Sequence, residues 1–175
     1  MTIPAQKFRE IVFQLLYSRD IAQTSDEAMI ELLTKELAVT KKAVCEAQER
    51  VQQILDNKEK IDSMIAKTSL AYTFERIQSV ERNVLRIGVF ELLFDDTIPP
   101  KVAISEALRL AKKFSTKEAA LFVNAILDAI YQSSLGKAVD KTELNESSEK
   151  LDELEKFIKE VPLNTEEKSD TGFSD

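Results

Sequence analysis

The sequence is poor in the residues that usually carry catalysis, since its 175 residues include no histidine and one cysteine. Histidine is the commonest metal ligand and the usual general base near neutral pH, so zinc sites and serine-hydrolase chemistry are improbable. Cys45 lacks a second cysteine for an internal disulfide and a histidine for a catalytic pair. We therefore predict that the protein is not an enzyme and holds no metal, and that Cys45 is a small, buried helix residue.

Glycine and proline are also scarce, with three and four copies. These residues punctuate hairpins and short strands, whereas the plentiful Ala, Leu, Glu, Lys and Gln favour helix, so we predict an all-α fold. The chain has no Gly-rich phosphate loop of Walker or dinucleotide-binding spacing, and we expect no cofactor. No apolar run reaches the roughly 18 residues of a membrane span, and the first residues lack the order of a signal peptide, so we expect a cytoplasmic protein.

Apolar residues recur at helical spacing along most of the chain. Capping boxes are predicted to begin at Thr24 and Ser115, and Thr40 is predicted to cap a third helix. Asn57 interrupts the path that follows Thr40, which therefore forms one long helix or two short ones. The predicted helices cover about residues 4–21, 24–37, 40–65, 80–92, 101–114 and 115–131, about seven in all.

Charge is unevenly distributed along the chain. Residues 136–175 carry 12 acidic and 6 basic side chains, a net charge of −6. Residues 1–135 carry 18 basic and 19 acidic side chains, a net charge of −1, so the acidity of the whole chain does not argue against a nucleic-acid partner for this part. We predict one helical domain over residues 1–135 and an acidic, partly disordered tail over residues 136–175, with one short amphipathic helix around Leu151 to Ile158.

Four segments of the second half contain residue patterns typical of one protein family. They read VERNVLRIGVFEL from Val80, IPPKVAISEA from Ile98, AKKFS from Ala111 and FVNAILD from Phe122. The first helix adds an RE pair at residues 9 and 10 and QLLY at residues 14–17. In this order and at these spacings, the chain resembles the NusB family over about residues 5–131.

The resemblance implies an all-α fold of two small helical-bundle subdomains. It implies binding to the boxA element of nascent ribosomal RNA as a heterodimer with NusE, which is also a protein of the small ribosomal subunit. In an antitermination complex, such a pair helps RNA polymerase to resist termination, and no catalysis is involved. NusB-like proteins also self-associate through the surface that otherwise holds RNA, so a homodimer is compatible with the resemblance.

The family's RNA-binding residues map onto the start of the first helix and the start of the last core helix. Phe122 is placed to stack on an unpaired base, although its spacing with Val123 and Ile126 favours a core position. The basic residues of the first helix are equally consistent with solvated surface charges, and Asn124 with a side-chain hydrogen bond to a neighbouring loop. The residues implied for RNA binding are Lys7, Arg9, Lys117, Glu118, Phe122 and Asn124.

The surface implied for NusE draws on Tyr17 in the first helix and Glu81 at the start of the central helix. Glu81 is also a residue type that the helix dipole favours in a first turn. We interpret Arg86 and Glu91, inside the signature, as members of a buried or half-buried ion pair that ties the subdomains together rather than as RNA contacts. A small cationic cluster near a helix C-terminus consists of Arg109, Lys112 and Lys113.

Departures from the family pattern predict weak RNA binding. The arginine run expected before the first helix is reduced to Lys7 and Arg9, and each lost phosphate contact weakens the salt-dependent attraction to RNA. NusE would then supply more of the affinity, and the acidic tail would compete with RNA for the basic surface. In addition, Ser105 stands where Asn is usual and Ala125 where Gly is usual.

Two other classes of function stay open. A helical adaptor that binds protein and no RNA is consistent with the reduced basic charge. NusB-like domains also serve as accessory RNA-binding modules of RNA cytosine methyltransferases. We do not expect that role, because the 40 residues after position 135 leave no room for a catalytic domain.

Overall fold

The computed structural model describes residues 3–21, 26–69, 72–139 and 141–160, and all regular secondary structure in these ranges is helical. The predicted all-α class is confirmed. No helix in these ranges is long and apolar enough to cross a membrane. The helices are α1 (Ala5–Ile21), α2 (Asp26–Glu36), α3 (Lys41–Asp56), α4 (Lys58–Thr68), a 3-10 helix (Phe74–Arg76), α5 (Ser79–Leu93), α6 (Pro100–Phe114), α7 (Lys117–Ser134) and α8 (Lys141–Glu160).

Local sequence signals explain where helices of the first half of the chain begin and end. The Thr40 side chain accepts a hydrogen bond from the Ala43 backbone N–H at 3.2 Å and caps α3 as predicted. Asn57 separates α3 from α4, so the stretch that follows Thr40 forms two helices and not one long helix. The capping box predicted at Thr24 lies outside the described residues.

The turn between α6 and α7 differs from the prediction by one residue. Thr116, not Ser115, caps α7, because its side-chain oxygen accepts a hydrogen bond from the Ala119 backbone N–H at 3.1 Å. Ser115 instead ends α6 and donates its hydroxyl hydrogen to the Glu81 carboxylate. The serine that local pattern assigns to a cap is therefore used in a tertiary contact.

The helices pack in two groups that meet at α5. Helices α1, α2 and α3 form one group, whereas α6 and α7 pack on α5 and on each other, and α4 contacts α5 and α7. The buried apolar side chains form one cluster that spans both groups. A methyl group at Gly88 would lie 2.8 Å from Cδ1 of Leu127 and 3.2 Å from Cβ of Ala107, so glycine permits the close packing of α5 on α6 and α7.

Cys45 is exposed, so the prediction of a buried cysteine is wrong. The buried stripe of α3 includes Val44 and Ala47. Cys45 lies one residue beyond Val44, a rotation of about 100° around the helix axis, which carries it off this stripe.

The central helix carries an arginine that binds two other helices. Arg86 is 3% exposed, and its Nε and Nη2 donate to the two carboxylate oxygens of Asp62 in α4 at 2.8 and 2.9 Å. Its Nη1 donates to Asp20 of α1 at 3.2 Å and to the side-chain oxygen of Asn83 at 3.1 Å. The interpretation of Arg86 as a buried ion-pair residue that joins the helix groups is therefore confirmed.

These contacts shift the pKa values of both aspartates. Burial alone would raise the pKa of Asp62, but hydrogen bonds and attraction from Arg86 and Lys58 outweigh it and hold the pKa below its usual 3.8. Burial of Asp20 is outweighed in the same way by Arg82 and Arg86, so its pKa is also lowered. A carboxylate with a lowered pKa stabilises the fold above its usual pKa and loses this contribution as the pH falls through the folded-state pKa.

Replacing Arg86 with alanine should lower the free energy of unfolding by about 3 kcal/mol, because the buried guanidinium that joins α5 to Asp62 and Asp20 would be lost, while Lys58 and Arg82 still pair with these carboxylates. The control is Lys42→Ala on α3, whose 3.9 Å contact with Glu46 is exposed. This control should change the free energy of unfolding by less than about 1 kcal/mol. Urea unfolding followed by circular dichroism measures both variants, and equal small losses would contradict a structural role for Arg86.

The contribution of Asp62 should depend on pH. The difference in unfolding free energy between the wild type and Asp62→Asn should be full above the usual pKa of 3.8 and should shrink as the pH falls below it, because the wild-type carboxylate then becomes protonated. Urea unfolding at a series of pH values measures this difference. Asp56→Asn, at an exposed position of α3, is the control and should show a small difference throughout. A gap for Asp62→Asn that does not change with pH would refute the assignment.

The acidic C-terminal segment begins with a longer helix than predicted. Helix α8 has 20 residues and packs on α7, with Leu144 and Leu151 buried. The expectation of one short helix in a partly disordered tail is corrected for this stretch, because the two leucines anchor it on the core. Phe157 and Ile158, in the predicted apolar set, are exposed, and the residues after 160 lie outside the described part of the chain.

Candidate nucleic-acid interface

Helix α1 meets the start of α5 and the turn between α6 and α7 at one side of the molecule. Phe114, the last residue of α6, stacks on Phe13 of α1 with ring centroids 4.5 Å apart. The next residue, Ser115, donates to Oε1 of Glu81 in the first turn of α5. We call this region the junction surface and define it by Tyr17, Glu81, Lys112, Lys113, Phe114 and Lys117.

Aromatic rings line the α1 side of the junction surface. Tyr17 stacks on Phe13 at 5.7 Å between centroids, and Phe13 stacks in turn on Phe114. Phe13 is buried, whereas Tyr17 and Phe114 are half-buried and leave part of their rings at the surface. The Lys113 Nζ lies 5.6 Å from the centroid of Phe114, within cation–π distance. The row thus presents two partly accessible rings beside a cation.

Lysines flank this aromatic row on α6 and α7. Lys112 and Lys117 are exposed and form no ion pair with any residue that the structure describes. Lys113 pairs with Glu10 of α1 at 2.8 Å, and Arg109 pairs with the same carboxylate at 2.7 Å. Burial would raise the pKa of Glu10, but these two cations outweigh burial and lower it. Lys112 and Lys117 therefore keep their charge available for an anion.

Glu81 lies at the edge of the junction surface and is 5% exposed. Its Oε1 accepts the hydrogen bond from Ser115, while its Oε2 has no hydrogen-bond partner among the described residues. The neighbouring Arg82 pairs instead with Asp20 at 2.9 Å. A buried acceptor without a donor is costly, so the Glu81 carboxylate depends on Ser115.

Arg9 is a structural residue rather than a surface cation. It is 7% exposed, and its Nε donates to both carboxylate oxygens of Glu91 at 2.8 and 3.0 Å. Its Nη1 lies 3.8 Å from Glu106 of α6. Burial raises the pKa of Glu91, against the opposing charge of Arg9. The expectation that Arg9 holds RNA is corrected, because its guanidinium joins α1 to α5, and the ion-pair interpretation of Glu91 is confirmed with Arg9 as its partner.

Phe122 is part of the core. Its side chain is 0% exposed, and its ring lies 5.6 Å from the ring of Tyr72. The prediction that Phe122 stacks on an unpaired base is contradicted in this conformation, because the ring has no accessible face. The core position that its helical spacing favoured is the observed one.

The remaining residues predicted for RNA binding lie at the surface of α1 and α7. Lys117 is exposed, and Lys7, Glu118 and Asn124 are half-buried. The Asn124 side chain has no hydrogen-bond partner in the described part of the chain, so its interpretation as a bond to a neighbouring loop is not supported. Of this set, Lys117 lies two residues after Ser115, which donates to the predicted partner residue Glu81.

Sequence reasoning missed the contacts that hold the junction surface together. Ser115 and Glu81 are 34 positions apart, and Arg9 and Glu91 are 82 positions apart, so no local pattern reveals them. Phe114 was visible as part of the AKKFS motif, yet helical spacing assigned it only to the buried side of α6. Phe114 stacks on α1 but stays half-buried, and the two lysines before it are exposed, so the motif lies at the surface.

The fold is that of a small all-helical protein, and its junction surface presents lysines and aromatic rings that suit binding rather than catalysis. The model of the NusB family matches residues 6–132, and the chain belongs to the NusB family. It is 37% identical over 131 residues to the transcription antitermination protein NusB of Chlamydia pneumoniae, covering 75% of this chain and 82% of the relative. It is 34% identical over 142 residues to the protein of the same name from Dehalococcoides mccartyi (strain CBDB1), covering 81% and 96%.

Solved structures agree with this assignment. NusB of T. maritima superimposes with a TM-score of 0.64 at 31% identity, covering 82% of this chain and 98% of that one. A NusB chain from a complex of antitermination factors NusB and NusE with dsRNA superimposes with a TM-score of 0.63 at 31% identity, covering 73% and 96%. The matched relatives are transcription antitermination proteins and not enzymes, so the prediction that the protein is not an enzyme is confirmed.

Replacing Ser115 with alanine should lower the free energy of unfolding by about 1–3 kcal/mol, because both oxygens of the buried Glu81 would then lack a donor. Ser105→Ala is the matched control on the same helix, since Ser105 is exposed and, among the described residues, donates only to the Val102 carbonyl. The control should change stability by less than about 0.5 kcal/mol. Urea unfolding compares the two variants, and an indistinguishable pair would show that Glu81 does not depend on Ser115.

Proposed function

We propose that this chain is a transcription antitermination factor that binds the boxA element of nascent ribosomal RNA as a heterodimer with NusE. The names of its relatives and the similar structure of NusB and NusE with dsRNA support this proposal. In this role the pair acts in the RNA polymerase antitermination complex in the cytoplasm. This chain aligns with most of the length of these relatives, which favours a role like theirs.

The junction surface carries the proposal. Two exposed lysines that pair with none of the described residues, Lys112 and Lys117, lie on either side of the turn that contains Phe114 and Ser115. Single-stranded RNA is usually held by cations on its phosphates and by aromatic rings on its bases. The lysines would bind phosphates, and the accessible parts of Phe114 and Tyr17 would contact bases or a partner side chain.

Binding by the chain alone should be weak, and NusE should strengthen it. Because Arg9 is committed to Glu91, Lys7 is the remaining basic residue at the start of α1. Lys7, Lys117, Glu118 and Asn124 remain proposed RNA contacts, and Tyr17 remains a proposed contact for NusE, whereas the buried Glu81 carboxylate holds Ser115 and is not proposed as a direct contact. A homodimer formed through the same surface would compete with RNA.

A protein-binding adaptor without RNA binding is the second candidate, favoured by the loss of Arg9 to a buried ion pair. An adaptor would bind NusE and leave boxA RNA unbound both alone and in the complex. The antitermination role requires RNA binding that improves when NusE is present and weakens with salt.

Lys112→Gln/Lys117→Gln should weaken boxA RNA binding in the presence of NusE by about tenfold at low salt. The slope of log affinity against log salt should become shallower by about 1.4, since about 0.7 is expected for each phosphate contact on a single strand. Fluorescence anisotropy of labelled RNA at several salt concentrations measures both quantities. Lys41→Gln/Lys60→Gln, at exposed positions of α3 and α4, removes the same charge and should have little effect. Equal losses in the two double variants would exclude the junction surface as the RNA site.

A further inference from the structure

Two carboxylates of helix α8 bind polar side chains in and around the 3-10 helix. Asp152 forms an ion pair with Arg76. Glu155 accepts hydrogen bonds from the Tyr72 hydroxyl at 2.5 Å and from Nε2 of Gln78 at 3.2 Å. Asp152 and Glu155 are three residues apart and so lie on one face of α8. This face of α8 therefore contacts three hydrogen-bond donors of the core, the side chains of Tyr72, Arg76 and Gln78.

The three donors form a surface with the chemistry of an RNA site. Arg76 and Gln78 are exposed, whereas the Tyr72 ring is buried between the Arg76 guanidinium, 4.6 Å from its centroid, and Phe122, so Tyr72 offers its hydroxyl and not a ring face. A guanidinium and a tyrosine hydroxyl both bind phosphate, and an amide hydrogen-bonds to base edges. We call Tyr72, Arg76 and Gln78 the covered surface.

The covered surface and its cover come from different parts of the chain. Its three residues lie within residues 6–132, which match the family model, whereas α8 lies beyond them. The donors are thus part of the family core, and α8 is an addition to it. No second RNA surface is implied by the family match itself.

The anchoring of α8 is shallow. Among its described side chains, two leucines, Leu144 and Leu151, and Ser148 are buried. At its other end Phe157 is 66% exposed and Ile158 is 59% exposed, so they add little to docking. A helix held by so few buried groups opens more readily than the core helices.

We propose that α8 is an intramolecular competitor that occupies a second single-stranded RNA-binding surface, formed by Tyr72, Arg76 and Gln78. Asp152 and Glu155 stand where RNA phosphates and base edges bind, so RNA displaces α8 when it reaches this surface. The inference rests on the proposed RNA-binding function. An acidic protein segment is the competing ligand that the experiment separates.

The test uses the full chain with Asp152→Asn/Glu155→Gln, and with Glu149→Gln/Glu153→Gln as the control of equal charge. Glu149 and Glu153 are exposed on α8 and form no ion pair with the described residues. Anisotropy of a labelled 12-nucleotide oligouridine, together with hydrogen exchange of α8, should show roughly tenfold tighter binding and faster exchange only for the first variant. Adding Arg76→Gln to that variant should remove the gain.

Unchanged oligouridine affinity together with faster exchange in α8 would overturn the inference, as would a gain that survives Arg76→Gln. If hydrogen exchange shows that α8 stays docked in the first variant, Leu144→Ser/Leu151→Ser removes its buried anchors. This variant should then bind oligouridine more tightly than the wild type, and adding Arg76→Gln should remove the gain. Tighter binding of a labelled polyglutamate peptide, without tighter RNA binding, would assign the covered surface to an acidic partner and contradict the proposal. If the wild type with NusE also fails to bind boxA RNA, the proposed function itself fails, which separates the two outcomes.

Discussion

The arrangement of this protein depends on the buried ion pairs of α5. Arg86 binds Asp62 of α4 and Asp20 of α1, and Glu91, five residues later, binds Arg9 of α1. Together they fix α1 against the central helix at two points. The α6–α7 turn is fixed to α5 by the bond between Ser115 and Glu81. Charges that would be costly to bury alone are thus used as specific connectors between helices.

This constraint decides which groups are left for recognition. Because Arg9 serves as a connector, the cations of the junction surface come from the end of α6 and the start of α7. The aromatic row of Tyr17, Phe13 and Phe114 stands where α1 is held against α6, so the same ion pairs that stabilise the fold also position the proposed RNA surface. Helix α8 adds further polar contacts, since its carboxylates bind the side chains of Tyr72, Arg76 and Gln78.

Much of the fold was predictable from the sequence because its signals are local. Helical spacing located the core helices, the Thr40 cap was visible as a residue type, and the signature around Arg86 identified the family. What was not predictable depends on contacts between distant residues. Arg9 was interpreted as a surface cation because Glu91 is 82 positions away, and the docking of α8 depends on its packing against α7, which local sequence patterns do not reveal.

The central claim is that the junction surface is where boxA RNA binds. At 19.8 kDa the chain suits heteronuclear NMR, and addition of boxA RNA to the labelled protein with unlabelled NusE tests the claim most directly. RNA added to the preformed complex should shift the backbone amide signals of residues 112–118. Shifts confined to α3 and α4, with residues 112–118 unchanged, would contradict the account.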